Sequence, residues 1–101
     1  MNNSKKLTLK STVSISESQA SSELLGETVI LELQSGVYYG LNETGSLIWG
    51  LLQSGKTLVE IQESILAEYD IEPEACANYI IKLVGKLAAK GLLKVDDEAI
   101  V

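Results

Sequence analysis

The 101-residue sequence contains no histidine, no arginine and no phenylalanine, and only one cysteine, one proline and one tryptophan. Without an imidazole no nucleophile–base pair is in sight, and the commonest metal ligand is missing. Metal ligation by paired cysteines is excluded too, because Cys76 stands alone. Set among Ala75, Ala77, Ile80 and Ile81, Cys76 reads as a small apolar core residue. No metal or other cofactor is expected, and the chain is not expected to be an enzyme.

Positive charge is scarce as well. Eight lysines face fourteen acidic residues, a formal charge of -6, so the average surface repels phosphate-rich partners and nucleic acid is not an expected ligand. Long apolar runs are also missing. Nothing approaches the ~20 residues of a membrane span, and the basic start MNNSKKLTLKS is not followed by the run of ~7 or more that marks a signal peptide. A cytoplasmic setting with no membrane partner is the expectation.

With 46% apolar and 22% charged residues, the composition is that of a folded globular chain. One domain over residues 1–101 is expected, with 1–6 and 97–101 frayed. Residues 7–15, LTLKSTVSI, alternate loosely and predict a first strand, and the Ser- and Glu-rich stretch 16–27 reads as a connection. In TVILELQ, residues 28–34, Val29, Leu31 and Leu33 fall on one face and Ile30, Glu32 and Gln34 on the other. Ser35-Gly36 offers a two-residue hairpin loop into VYYGL. That register sets Leu33 opposite Tyr38 and turns Tyr38 inward and Tyr39 outward.

Asn42 is positioned to cap a helix over about 43–53. On it Leu47, Ile48, Leu51 and Leu52 form the stripe, which leaves Trp49 on a flank. Thr57 and Glu60 form a capping box for a second helix over about 58–69. A third runs from Pro73 to the Lys90-Gly91 stop. Its apolar arc spans roughly 200°, too wide for one packing contact. It is therefore wedged in the core or offered in part to a partner. Residues 92–96 suit a short return strand. The fold class is α+β and winged-helix-like: an N-terminal three-stranded antiparallel sheet, a three-helix bundle and a short C-terminal strand.

Several constellations resolve into ordinary surface. Glu60, Glu63, Glu68, Asp70, Glu72 and Glu74 form a solvated acidic run with no base among them. Gly36, Gly40, Gly45 and Gly50 are too dispersed for a phosphate loop. Lys82, Lys86 and Lys90 recur four apart on the third helix; they suit its C-terminal dipole, and Lys86 borders the apolar arc with Lys82 a turn behind it, both within reach of acids on a bound peptide. A helix-turn-helix over 57–90 has the layout of a DNA reader without its electrostatics. Strand VYYGL, last of its meander, has an uncharged edge of Val37, Tyr39 and Gly40. Beside an apolar helix flank, such an edge is a groove for strand addition by a peptide.

The segments VILEL-QSG-VYYGLN, ETGSLIWGLLQSGKTLVEI and LVGKLAAKGLL resemble the PqqD family, the peptide-binding chaperones that serve as RiPP recognition elements. The resemblance spans about residues 27–95. It implies binding of a precursor's leader segment as an added strand on Val37, Tyr38, Tyr39, Gly40 and Leu41, with Cys76, Tyr79, Ile80 and Leu83 as the helix wall. Lys82 and Lys86 join this set from their position beside the arc. Where many members have an acid followed by an aliphatic residue, this chain has Tyr79-Ile80. A stand-alone chain of this type is most similar to the recognition protein of lasso peptide systems, which implies a leader peptidase or other maturation enzyme as second partner. The alternative is a winged-helix DNA-binding transcriptional regulator.

Overall fold

A computed structural model describes residues 7–96; the termini expected to fray lie outside the described residues. The order is β1 (Thr12–Ile15), β2 (Gln19–Leu24), β3 (Glu27–Glu32), β4 (Val37–Leu41), α1 (Glu43–Gln53), α2 (Leu58–Glu68), α3 (Pro73–Ala89) and β5 (Leu93–Asp96). The fold is α+β. An antiparallel three-stranded sheet has the order β2-β3-β4, and β1 pairs antiparallel with β5 in a sheet of two.

The N-terminal strand is shorter than the alternation over 7–15 predicts, because Thr8 and Ser11 close a turn. Ser11 N–H donates to the Thr8 carbonyl at 3.0 Å, and Thr8 N–H to Ser11 Oγ at 3.0 Å. The remaining four residues leave the main sheet and pair with the other end of the chain, Val13 opposite Val95 and Ile15 opposite Leu93.

The first strand of the main sheet is instead the stretch that reads as a connection. QASSEL pairs with β3 through Leu24 opposite Glu27, and Leu25 and Gly26 make the turn with φ of 56° and 83°. Two positive φ values are what a two-residue hairpin of type I′ demands. Nothing in this serine-rich strand carries the aliphatic signature of a strand; its place comes from β3 and from Ser21, which faces α1.

The inward and outward faces of the β3–β4 hairpin are the reverse of the expectation. Thr28 and Ile30 are buried, whereas Val29 is exposed and Leu33 lies in the loop. That loop has four residues, 33–36, so Leu31 and not Leu33 lies opposite Tyr38. Glu32 stabilises the longer loop by accepting from Ser35 N–H at 2.9 Å, and Gly36 supplies φ of 74°. Tyr38 is consequently 67% exposed, and Tyr39 packs on the core. Alternation pointed to the other face because Val29, Leu31 and Leu33 are the more apolar set, whereas the inward face carries Thr28 and Ile30 and is chosen by the helices it covers.

The helices begin and end where the capping residues predict. Asn42 Oδ1 accepts from Gly45 N–H at 2.8 Å, the Thr57–Glu60 box is closed in both directions, and Pro73 opens α3. Gly91, with φ of 78°, turns the chain out of α3. The core is built from Ile30 of the sheet, Ile48 and Trp49 of α1, Ile61 of α2 and Ile80 and Val84 of α3, all under 2% exposed. Trp49 thus occupies the core and not the expected flank. Its indole N–H donates to Ser21 Oγ at 3.2 Å. No described helix is long and apolar enough to cross a membrane.

Candidate functional site

Among the described residues strand β4 is an edge, and the hydrogen bonds on the far side of β3 determine which of its groups are available. Leu33 N–H donates to the Ser18 carbonyl at 3.0 Å, extending the β2–β3 register by one pair. Backbone groups in an antiparallel ladder alternate in direction. Leu33, Leu31 and Val29 therefore address β2, and Glu32, Ile30 and Thr28 address β4. Their partners are Val37, Tyr39 and Leu41. Tyr38 and Gly40 accordingly turn N–H and C=O to the open side of the strand.

Beside that edge lies a groove of about 270 Å³, lined by Tyr39, Gly40, Leu41 and Asn42 on one side and by Tyr79, Leu83, Lys86, Leu87 and Lys90 on the other, with Gly45 at its end. The side chains alternate against the backbone groups: Tyr39 and Leu41 turn toward the helices, whereas Tyr38 and Gly40 present main chain. Lys90 Nζ lies 5.0 Å from the centroid of the Tyr39 ring, a cation–π distance. Tyr79 Oη stands 3.5 Å from Asn42 Oδ1 across the groove. Among the described residues no carboxylate lines it.

The arrangement offers unpaired main-chain donors and acceptors above an apolar floor, with ammonium groups at the lip. It can hold an extended chain. Among the described residues no cluster of His, Cys, Asp and Glu is arranged for a metal ion.

The family model for Coenzyme PQQ synthesis protein D (PqqD) matches residues 27–93, which takes in the β3–β4 hairpin and all three helices. The chain belongs to the PqqD family. A solved structure described as TbiB1 in complex with the TbiA(beta) leader peptide is 38% identical, with 80% of this chain and 94% of that chain covered and a TM-score of 0.78. A lasso peptide synthetase B1 complexed with the leader peptide is 24% identical over 81% of this chain and 96% of that one, with a TM-score of 0.76, and supports the fold. No curated protein matches the chain.

In this PqqD-family chain the residues named from the sequence fall into four groups. Tyr39, Gly40, Leu41, Tyr79, Leu83 and Lys86 come together around the groove. Lys82 lies just outside it, sharing a smaller cleft with Tyr79, Leu83 and Lys86. Val37 and Tyr38 belong to the edge strand, but neither side chain lines the groove, and Tyr38 contributes main chain only. Cys76 and Ile80 do not form a wall: at 1% and 0% exposure they lie behind it in the core. Burial also pushes the Cys76 thiol up from its ordinary range.

Four lining residues were not assigned to the peptide site by sequence. Lys90 continues the four-residue spacing of Lys82 and Lys86, and that spacing was the available signal. Asn42, Gly45 and Leu87 reach the groove only because α1 starts directly after β4 and α3 crosses beside it.

Proposed function

We propose that this protein is a single-domain, non-catalytic recognition element that binds the leader segment of a ribosomally made precursor peptide. The leader adds as a strand to the open edge of β4 and lays side chains into the groove against α3. The bound precursor is then presented to a maturation enzyme, a leader peptidase of a lasso peptide pathway, in the cytoplasm. The observation that carries this reading is the pairing-competent backbone of Tyr38 and Gly40 beside a groove with an apolar floor. Support comes from TbiB1, which is described in complex with a leader peptide. The net charge of -6 without arginine weighs against the alternative of a DNA-binding regulator.

Proline at two adjacent edge positions separates binding from folding. Gly40 carries an outward N–H, does not have a positive φ, and among the described residues no neighbouring atom stands within 4 Å of the place a Cβ would take. Proline is tolerated on an edge strand when its missing N–H faces the open side. Gly40→Pro should therefore keep the melting temperature within a few degrees and weaken binding of the TbiA(beta) leader peptide, used as the probe, at least about tenfold, as loss of a main-chain bond plus strand distortion requires. Tyr39→Pro should instead lower the melting temperature, since Tyr39 N–H faces Ile30 in the ladder. Calorimetric titration beside thermal melts reads both. Equal affinity of Gly40→Pro and parent for that leader would overturn the assignment.

A further inference from the structure

The groove has a polarity that constrains what can lie in it. Tyr79, Leu83, Lys86 and Lys90, spaced 4, 3 and 4 residues apart, form one stripe along α3, and all four line the groove. The N-terminal half of the stripe is apolar and the C-terminal half cationic. Across from it, Tyr79 approaches Asn42 just beyond the end of β4, whereas Lys90 approaches Tyr39, three residues earlier at the middle of the strand. Strand and helix therefore run in opposite directions along the groove. Leu41, Tyr79 and Leu83 make one end apolar; Lys86 and Lys90, beside Tyr39, make the other cationic. Among the described residues no acid lines either this groove or the adjoining cleft that Lys82 and Lys86 share. These lysines concentrate positive charge on a chain whose net charge is -6. A bound carboxylate would complement them.

We infer that the groove selects a bipartite peptide, an apolar anchor followed toward its C-terminus by an acidic residue two to four positions later. The inference rests on the strand-addition reading above. Among the described residues every strand pair is antiparallel, and an added strand that continues the pattern runs opposite to β4 and along α3. Its earlier residues then meet Tyr79 and Leu83, and its later ones Lys86 and Lys90. Leu83 and Lys90 are seven positions apart on the helix, about 10 Å of rise, which an extended chain covers in about three residues. Because side chains on one face of a strand recur every second residue, the acid falls two or four positions after the anchor, or three where it reaches the lip from the outer face. The cationic end sets direction: a peptide with the acid first would bring its carboxylate to the apolar end and leave both lysines unmatched.

The test is a display selection of random twelve-residue peptides on the intact protein, with counter-selection on Gly40→Pro. Selected peptides should carry an apolar residue two to four positions before Asp or Glu. For one such peptide, Lys86→Gln/Lys90→Gln should raise Kd about three- to tenfold at low salt and flatten its salt dependence, with the melting temperature retained. The same double variant should bind the peptide's Asn or Gln counterpart as the parent does. Peptides that discriminate against Gly40→Pro but lack the acid, or carry it before the anchor, would overturn the polarity and leave strand addition standing. Failure to recover any peptide that discriminates against Gly40→Pro would overturn both.

Discussion

Trp49 shows how a single side chain links the sheet to the helices. It is 1% exposed, and its N–H would be an unsatisfied buried donor without Ser21, whose hydroxyl also accepts from Gln53 at 3.3 Å. Trp49→Ala should cost about 3–5 kcal/mol, the range for truncating a fully buried large ring. Ser21→Ala should cost about 1–3 kcal/mol by leaving the indole N–H without its acceptor, and the loss should be smaller in a Trp49→Phe background. Denaturant melts of the four proteins check this; equal Ser21→Ala losses in both backgrounds would show that the bond is idle. Trp49 does not line the groove, so peptide affinity of the folded fraction should not change. Cys76, the other residue that invited a functional reading, is a protonated thiol in the core. Its folded-state affinity for protons is raised, so its contribution to stability is full below the ordinary thiol range near ~8.5 and is lost as pH rises above it. Cys76→Ser should abolish that alkaline decline, and the native thiol should be alkylated far more slowly than the unfolded one.

At the scale of elements, the two hairpins of the main sheet present the peptide edge. The β3–β4 loop is held by the Glu32 carboxylate, whose hydrogen bonds from Ser35 draw its proton affinity below the usual carboxylate range. The β2–β3 turn is less well matched to its residues. Leu25 sits at φ of 56° and is 94% exposed, so it has neither the conformational freedom of glycine nor a packing reason to be there. Leu25→Asn creates the Asn-Gly pair that type I′ turns favour and should stabilise the chain by about 1 kcal/mol. An unchanged denaturation midpoint would mean that the turn is not strained. How legible the elements were follows from the same residues. Capping chemistry at Asn42, Thr57 and Pro73 is local, and the three helices were readable to within a residue or two. β2 was not readable, because QASSEL has no intrinsic strand preference and is held by its neighbour and by Trp49.

For the whole molecule, the pairing of β1 with β5 ties the two ends of the chain together. Leu93 is buried, and Leu9, Val13 and Ile15 pack against the same core. Deleting residues 1–15 would remove that cover and leave the β5 ladder without a partner. The deletion should lower the melting temperature by well over about 5 °C, as expected when more than ~1 kcal/mol is removed from a domain of this size. The β4 edge should still bind peptide at a temperature where the shortened chain is folded, since no residue of β1 lines the groove. A shortened chain with parental melting would show that the terminal pairing adds nothing to stability.

By itself, the sequence determined the properties that depend on composition and on neighbours along the chain. These include the lack of histidine and of paired cysteines, the acidic balance, the three capped helices, the VYYGL strand and the family signature that surrounds it. Tertiary structure decided what depends on contacts between distant segments. It set which face of β3 is buried, sent the first strand to the C-terminus instead of the main sheet, placed Trp49 on Ser21, and withdrew Cys76 and Ile80 behind the groove. The physical reason is that a helix satisfies its backbone within itself, whereas a strand's position and inward face are chosen by the partner it pairs with and the layer it covers.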